Sequence, residues 1–298
     1  ALDAGSYAAA DQPPPDQDPL PSPGALPELA PPALPLSEPF GVVNAEDPNT
    51  PYFASATSRP LLTYALDREA HYMARDLELE ATASRFILVT PTGEAPAEIR
   101  IPGRFNVVNA LAAAAAVQGV LGCTAAEIAQ VLPQLRSVPG RMSVVLDAPF
   151  RVVVDYAHTP GSFENVLPFF REQTSGRLIV VFGSAGERDV AKRPVQGAIA
   201  DRYADVIVLA NEDPRGEAPG DILEEIAAGI HAHREGDTLF LVPDRREAIR
   251  RAISIAVPGD TVLLLGKGHE ASIITAVRTV PWNEREVARE ELRALGLI

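Results

Sequence analysis

The chain has 298 residues, room for about two ordinary domains with substantial cores. Its 26 basic and 40 acidic residues leave a formal charge of −14, which argues against nucleic acid or an anionic membrane as the main partner. The single cysteine, Cys123, excludes an internal disulfide framework and a cysteine-rich zinc site, and no uninterrupted apolar run reaches membrane-spanning length, so no membrane insertion is expected. The opening ALDAGSYAAA has no Met and no basic n-region, so it reads as the start of a fragment or processed product, with the cytoplasm as the default compartment.

In chain order, Asp11–Pro39 is dense in proline and acids. Proline lacks the N–H that ladders need, so residues 1–40 are expected to be a disordered or polyproline linker. From Gly41 the pattern turns strand-like: GVVNAEDP, LLTYAL and ARDLELEAT, then RFILVTPTGEAPAEIRIP, a hairpin around Pro-Thr-Gly. Asn106 to Leu121 is alanine-rich and predicts a helix, and Thr124 is placed to cap a second one, AAEIAQVLPQL.

After Val138-Pro139-Gly140 a new alternation begins. Strands are predicted at MSVVLDA, FRVVVDYA, RLIVVFG, ADVIVLA, DTLFLV and DTVLLLG, with helical stretches SFENVLPFFRE, RPVQGAIADRYA, GDILEEIAAGI and DRREAIRRAISIA between several of them. Apolar strands alternating with amphipathic helices predict an α/β domain with a mainly parallel, doubly wound sheet and ligand loops at the strands' carboxyl ends. The domain boundary is expected near residue 138, which gives segments 1–40, 41–137 and 138–298.

Five loops hold the unusual polar residues. Asp155–Pro160 follows an apolar strand, and a carboxylate there can accept from a ribose or other hydroxyl; a helix cap and turn is the plainer reading. Gly183–Asp189 with Lys192 and Arg193 joins small residues to positive charge, suited to an anion or simply to solvent. In Asn211–Glu217, Arg215 can fork onto a carboxylate, or the loop is an ordinary Asp-Pro turn. Gly266–Glu270 allows close backbone approach, and Glu270 can bind an amine; a tight strand-to-helix turn is the alternative. Asn283–Glu286 says little by itself. Arg141 can reach toward phosphates from the boundary or lie on the surface. Asn106 is explained by helix capping, whereas Asn109, one turn further in, is not.

Taken in order, GRFNVVNALAAAAA, VPGRM, DYAHTP, GERDVAKRP, the EDPRGE loop, DRREAI and GKGHE resemble the Mur ligase family, over roughly residues 41–298. The nearest likeness is to its branch that adds the third amino acid of the peptidoglycan stem peptide. The resemblance implies the second half of a central ATP-binding domain followed by a Rossmann-like C-terminal domain. The implied activity is ATP-dependent joining of lysine, ornithine or meso-diaminopimelate to UDP-MurNAc-L-Ala-D-Glu through an acyl phosphate, by a monomer in the cytoplasm.

By resemblance, Asn109, Arg141 and Asp155 lie near adenine, phosphates and ribose, with His158 and Lys267 as further nucleotide neighbours. Arg188, Asp213, Arg215, Gly266 and Glu270 match positions that grip the incoming amino acid. Diaminopimelate enzymes usually read Asp-Asn-Pro-Arg where this chain has Glu212-Asp213-Pro214-Arg215. The extra carboxylate of Asp213 suggests a preference for lysine or ornithine.

The sequence contains no phosphate loop ending in Gly-Lys-Thr or Gly-Lys-Ser, and the only Gly-Lys is Gly266-Lys267. The family's Mg2+-holding acid and histidine, its carbamylated lysine and its UDP-sugar domain have no counterpart. No catalytic or metal residue is therefore assigned, Mg2+ ligands are expected from outside the chain, and the chain alone is expected not to turn over. A non-catalytic nucleotide- or amino-acid-binding module is the alternative. Folylpolyglutamate synthase or cyanophycin synthetase is a third, and DYAHTP with GKGHE argues against the folate branch.

Overall fold

A computed structural model describes residues 33–80, 82–135 and 138–298. Most of the proline-rich segment, for which disorder is expected, lies outside the described residues. The chain divides into two compact units. Of the described residues, the first takes in those up to Glu78 together with Arg85–Glu98 and Val107–Leu132, and the second the remainder up to Ile298.

In the first unit a five-stranded sheet runs in chain order: β1 (Gly41–Asn44), β2 (Leu61–Ala65), β3 (Tyr72–Leu79), β4 (Ser84–Thr90) and β5 (Gly93–Ile99). β1, β2 and β3 pair in parallel. β4 and β5 form the hairpin expected around Pro-Thr-Gly, and their buried residues alternate as a two-residue period requires. A short helix, α1 (Thr50–Ser55), opens with Pro51 in its first turn and was not predicted.

The alanine-rich helix α2 spans Arg104–Leu121. With 18 residues and a mean hydropathy of 1.3 it is long and apolar enough to cross a membrane, a point the search for uninterrupted apolar runs missed. Its buried face carries Val107, Leu111, Ala115 and Gln118, and Gln118 is fully served inside the protein. It accepts from the Tyr72 hydroxyl at 2.7 Å and donates to Thr92 and to the Cys123 carbonyl. α3 (Ala125–Val131) starts at the expected cap: Thr124 and Glu127 bond each other's backbone N–H.

The second unit holds a six-stranded sheet in the order β10-β9-β8-β11-β7-β6. Its strands are β6 (Ser143–Leu146), β7 (Arg151–Val154), β8 (Leu178–Phe182), β9 (Val206–Leu209), β10 (Leu239–Leu241) and β11 (Thr261–Leu264). All pairings are parallel except β6 with β7.

Helices α4 (Pro160–Gln173), α5 (Lys192–Tyr203) and α6 (Pro219–Ala227) cover one face, packing Phe163, Ile199 and Leu223 on Val153, Val180 and Leu263. α7 (Arg245–Ser254) and α8 (Glu284–Ala294) cover the other, packing Ile249, Ala252 and Leu292 on Val152, Val181 and Leu264. Adjacent strand residues feed opposite cores, so these strands read as unbroken apolar runs. α8 and the hairpin of β12 (Ser272–Ile274) and β13 (Thr279–Pro281) were not anticipated. The doubly wound α/β arrangement agrees with the sequence reading and sets the loops after β7, β8, β9 and β11 at one edge.

Candidate functional site

At that edge, Asp155 is the residue after β7 and is buried. Its two carboxylate oxygens accept from the backbone N–H groups of Met142 and Ala157, each at 2.8 Å. Burial pushes its carboxyl above the usual carboxylate range, against the pull of those N–H groups and of the Arg141 guanidinium. Arg141 lies 4.5 Å from the centre of the Tyr156 ring. The rings of His158 and His269 stand 4.6 and 4.9 Å from the same ring. The loops before β6 and after β11 meet closely: a Cβ on Gly140 would lie 2.2 Å from the Gly268 carbonyl carbon, and Gly140 has φ +75°.

The loop after β11 carries the densest charge. Lys267 is fully buried, and its Nζ donates to Asp213 Oδ1 at 2.8 Å and Glu270 Oε2 at 2.5 Å. Asp213 Oδ1 also accepts from the Ile274 N–H at 2.9 Å. The other Glu270 oxygen accepts from the Tyr156 hydroxyl at 3.1 Å.

Asp213 is thus matched by a lysine inside the protein. It does not stand as the unmatched charge on which the preference for lysine or ornithine was based. The under-partnered carboxyl is Glu212, which sequence reasoning passed over: it is buried and its Oε2 has no hydrogen-bond partner. Burial pushes Glu212 up to about 7, with Arg245, Lys192 and Lys267 pulling the other way. Gly266, with φ +100°, makes room for it; a Cβ there would sit 2.8 Å from Glu212 Oε2.

Arg215 adopts φ +51°, a left-handed conformation unusual for a residue with a side chain, and its N–H donates to the Ile274 carbonyl at 3.0 Å. Its Nε is buried without a partner. Among the described residues neither Arg215 nor Arg188 makes an ion pair, and Arg188 is exposed with one bond to the Glu187 carbonyl. Arg193 fastens the loops after β8 and β9 by reaching Glu217, Glu225 and the Ala185 carbonyl. Lys192 donates to the His158 carbonyl at 2.9 Å.

The fold therefore joins Arg141, Asp155, His158, Asp213, Gly266, Lys267 and Glu270 through direct contacts or shared neighbours, with Arg215 beside them. Asn109 belongs to the first unit, on the exposed side of α2. Sequence reasoning did not single out Tyr156, Glu212, Arg245 or Glu284. Tyr156, Glu212 and Glu284 stood inside the charged loops and Arg245 inside DRREAI, and for Tyr156 and Glu212 the strand-end position was the signal available. No group of three or more His, Cys, Asp or Glu suited to a metal occurs among the described residues.

The second unit, with its charged loops at one edge of the sheet, is an α/β domain of the doubly wound kind. Residues 34–117 match the Mur ligase middle domain, and residues 140–268 match the Mur ligase glutamate ligase domain. The chain belongs to the Mur ligase family.

It is 48% identical to a UDP-N-acetylmuramyl-tripeptide synthetase of a Roseiflexus species, over 86% of this chain and 51% of that one. It is 43% identical to the protein of the same name in Treponema denticola, over 85% and 50%. A solved UDP-N-acetylmuramoyl-L-alanyl-D-glutamate--2,6-diaminopimelate ligase superposes with a TM-score of 0.57 at 31% identity, covering 86% of this chain and 53% of that one. The chain spans about half the length of the curated relatives it matches.

Proposed function

We propose that this chain carries the amino-acid site and part of the nucleotide site of an ATP-dependent carboxylate–amine ligase. The ligase adds a diamino acid to UDP-N-acetylmuramoyl-L-alanyl-D-glutamate in peptidoglycan synthesis. The observation that carries the reading is the set of paired acids Asp213 and Glu270 around Lys267, beside the unpaired Arg215, on the same edge as Asp155 and Arg141. One end offers acids and a guanidinium to a zwitterion; the other offers a buried carboxylate to hydroxyls and a guanidinium to phosphates. The names of the relatives point to the same reaction.

A carboxylate is a poor electrophile. Transfer of the γ-phosphoryl group of ATP to it makes an acyl phosphate and releases ADP. The neutral amine then attacks the carbonyl carbon, a tetrahedral intermediate forms, and phosphate leaves as the C–N bond is completed and the amine gives up a proton. This chain's residues act by placement and charge. In this reading Glu270 holds the amino acid's ammonium, and Arg215 and Arg188 hold its carboxylate. Asp213 and Gly266 shape the pocket. Asp155 accepts from the ribose, Arg141 faces the phosphates and His158 supports the nucleotide side, whereas Lys267, sealed between Asp213 and Glu270, holds those acids in place instead of meeting the nucleotide.

The described residues do not fit Mg2+, so no step is routed through it here. Lysine, ornithine and meso-diaminopimelate all remain within the class, because Lys267 removes the charge argument against the last. The isolated chain binds its ligands as a monomer without turnover, in the cytoplasm where nucleotide-linked precursors are made.

Calorimetry of the chain with each of the three diamino acids tests the reading. Binding of at least one is expected, and heat from none overturns it. Adding the N-terminal half of the Roseiflexus relative in trans is expected to give phosphate release that requires the amino acid.

A further inference from the structure

We propose that Tyr156 is a positioning residue whose hydroxyl aims Glu270 at the incoming amine while its ring seats Arg141. One side chain then sets both the amine-holding acid and the phosphate-facing arginine. The proposal rests on the reading of the site given above.

Tyr156 is held from behind. The preceding residue, Asp155, is locked by two backbone N–H groups, so the Tyr156 backbone has little freedom. The loop carrying Glu270 rests directly on it: a Cβ on Gly268 would lie 2.6 Å from Tyr156 Cβ and 2.9 Å from its Cα. The ring is bordered by Arg141 at 4.5 Å, His158 at 4.6 Å and His269 at 4.9 Å. These contacts would serve a phenylalanine equally well. What only tyrosine adds is the hydroxyl, and its protein partner is Glu270 Oε1 at 3.1 Å.

A glutamate carboxylate turns easily about its last torsion. Lys267 fixes one oxygen, and with that bond alone the carboxylate would pivot about the ammonium. The Tyr156 hydroxyl fixes the second oxygen and thereby the plane. Each oxygen keeps a further lone-pair direction for an incoming N–H donor. Burial, then the neighbouring Glu270 charge, raises the phenol above its ordinary value, so it stays a donor through the neutral range. The chain of contacts continues from Glu270 through Lys267 to Asp213 and the Ile274 N–H, and the Ile274 carbonyl accepts from Arg215. Arg141 and Arg215 are the two ends of one connected set, in which Tyr156 is the link that joins Arg141 to Glu270.

The test uses the 298-residue chain with L-ornithine as probe, and L-lysine and meso-diaminopimelate as repeats. Tyr156→Phe keeps the ring and removes the hydroxyl. It is expected to weaken diamino-acid binding about five- to tenfold, with the melting temperature and the affinity for ADP unchanged. Tyr156→Leu removes the seat of Arg141 as well and is expected to weaken both ligands. In the chain labelled with 13C at Tyr Cζ, the resonance lost in Tyr156→Phe is expected to move when the amino acid is added, which a packing role alone would not produce. Equal affinity of wild type and Tyr156→Phe, or a stationary Tyr156 resonance, overturns the proposal alone. A wild-type chain that binds none of the three overturns the underlying reading and this proposal with it.

Discussion

The guanidinium of Arg245 donates to both oxygens of Glu284 at 3.1, 3.0 and 2.6 Å, with both residues buried. Each opens a helix, α7 or α8, on the same face of the sheet. The guanidinium also donates to the Asn211 and Leu265 carbonyls, and so ties the roots of two ligand loops together. Removing one partner strands a buried charge. Glu284→Ala is expected to lower unfolding free energy by about 3–5 kcal/mol, and pairing it with Arg245→Met to recover much of that. Urea denaturation measures both, and a loss below about 1 kcal/mol for the single variant counts against this role.

Glu212 makes stability depend on pH. Its folded pKa, pushed up to about 7, lies above the ordinary 4.5. The folded state thus disfavours the ionised form. The contribution is at its best below about pH 4.5 and is lost as pH rises through 7, by up to about 3 kcal/mol. Glu212→Gln is expected to match wild type near pH 4.5 and to exceed it at pH 8. Denaturation midpoints that differ equally at both pH values would refute this.

Gly140 and Gly236 offer a matched pair of alanine substitutions. Both have positive φ, +75° and +83°, but a Cβ at Gly140 would meet backbone at 2.2 Å and one at Gly236 would meet nothing within 4 Å. Gly236→Ala is expected to cost about 1 kcal/mol, from backbone conformation alone. Gly140→Ala is expected to cost about 3 kcal/mol or more and to disturb the Arg141 loop as well. Thermal melts of the two variants make the comparison, and equal losses would show that the loop yields freely.

Arg215 holds a left-handed backbone conformation and has no ion-pair partner among the described residues. Arg215→Gly is therefore expected to raise stability by up to about 1 kcal/mol. The same change is expected to weaken diamino-acid binding by about tenfold or more. Stability and affinity both falling would assign the residue to the scaffold instead.

The fold was largely legible because its strongest determinants are periodic. The runs VVV (152–154), LIVVF, VIVL and VLL (262–264) are apolar without a break, as strands covered on both faces must be. α8 was lost because its apolar positions are spread among EREVAREELRA, where charge hides the stripe of Val287, Ala288 and Leu292. The strand-end loops were legible as a set, since Asp155, Arg215 and Glu270 are polar residues placed just after apolar strands. Pairings across the sheet were not. That Lys267 matches Asp213, 54 residues away, depends on the β9 and β11 loops meeting at one edge.

The sequence contains only two lysines, Lys192 and Lys267. One bonds the His158 carbonyl and the other is sealed between two acids, so the folded chain presents few amines to a reagent. Lys192 is half-buried and Lys267 fully buried, so amine-directed acylation, which scatters over the surface of most proteins, becomes here a clock for one loop: each adduct on Lys267 records a moment when the edge of the second sheet stood open.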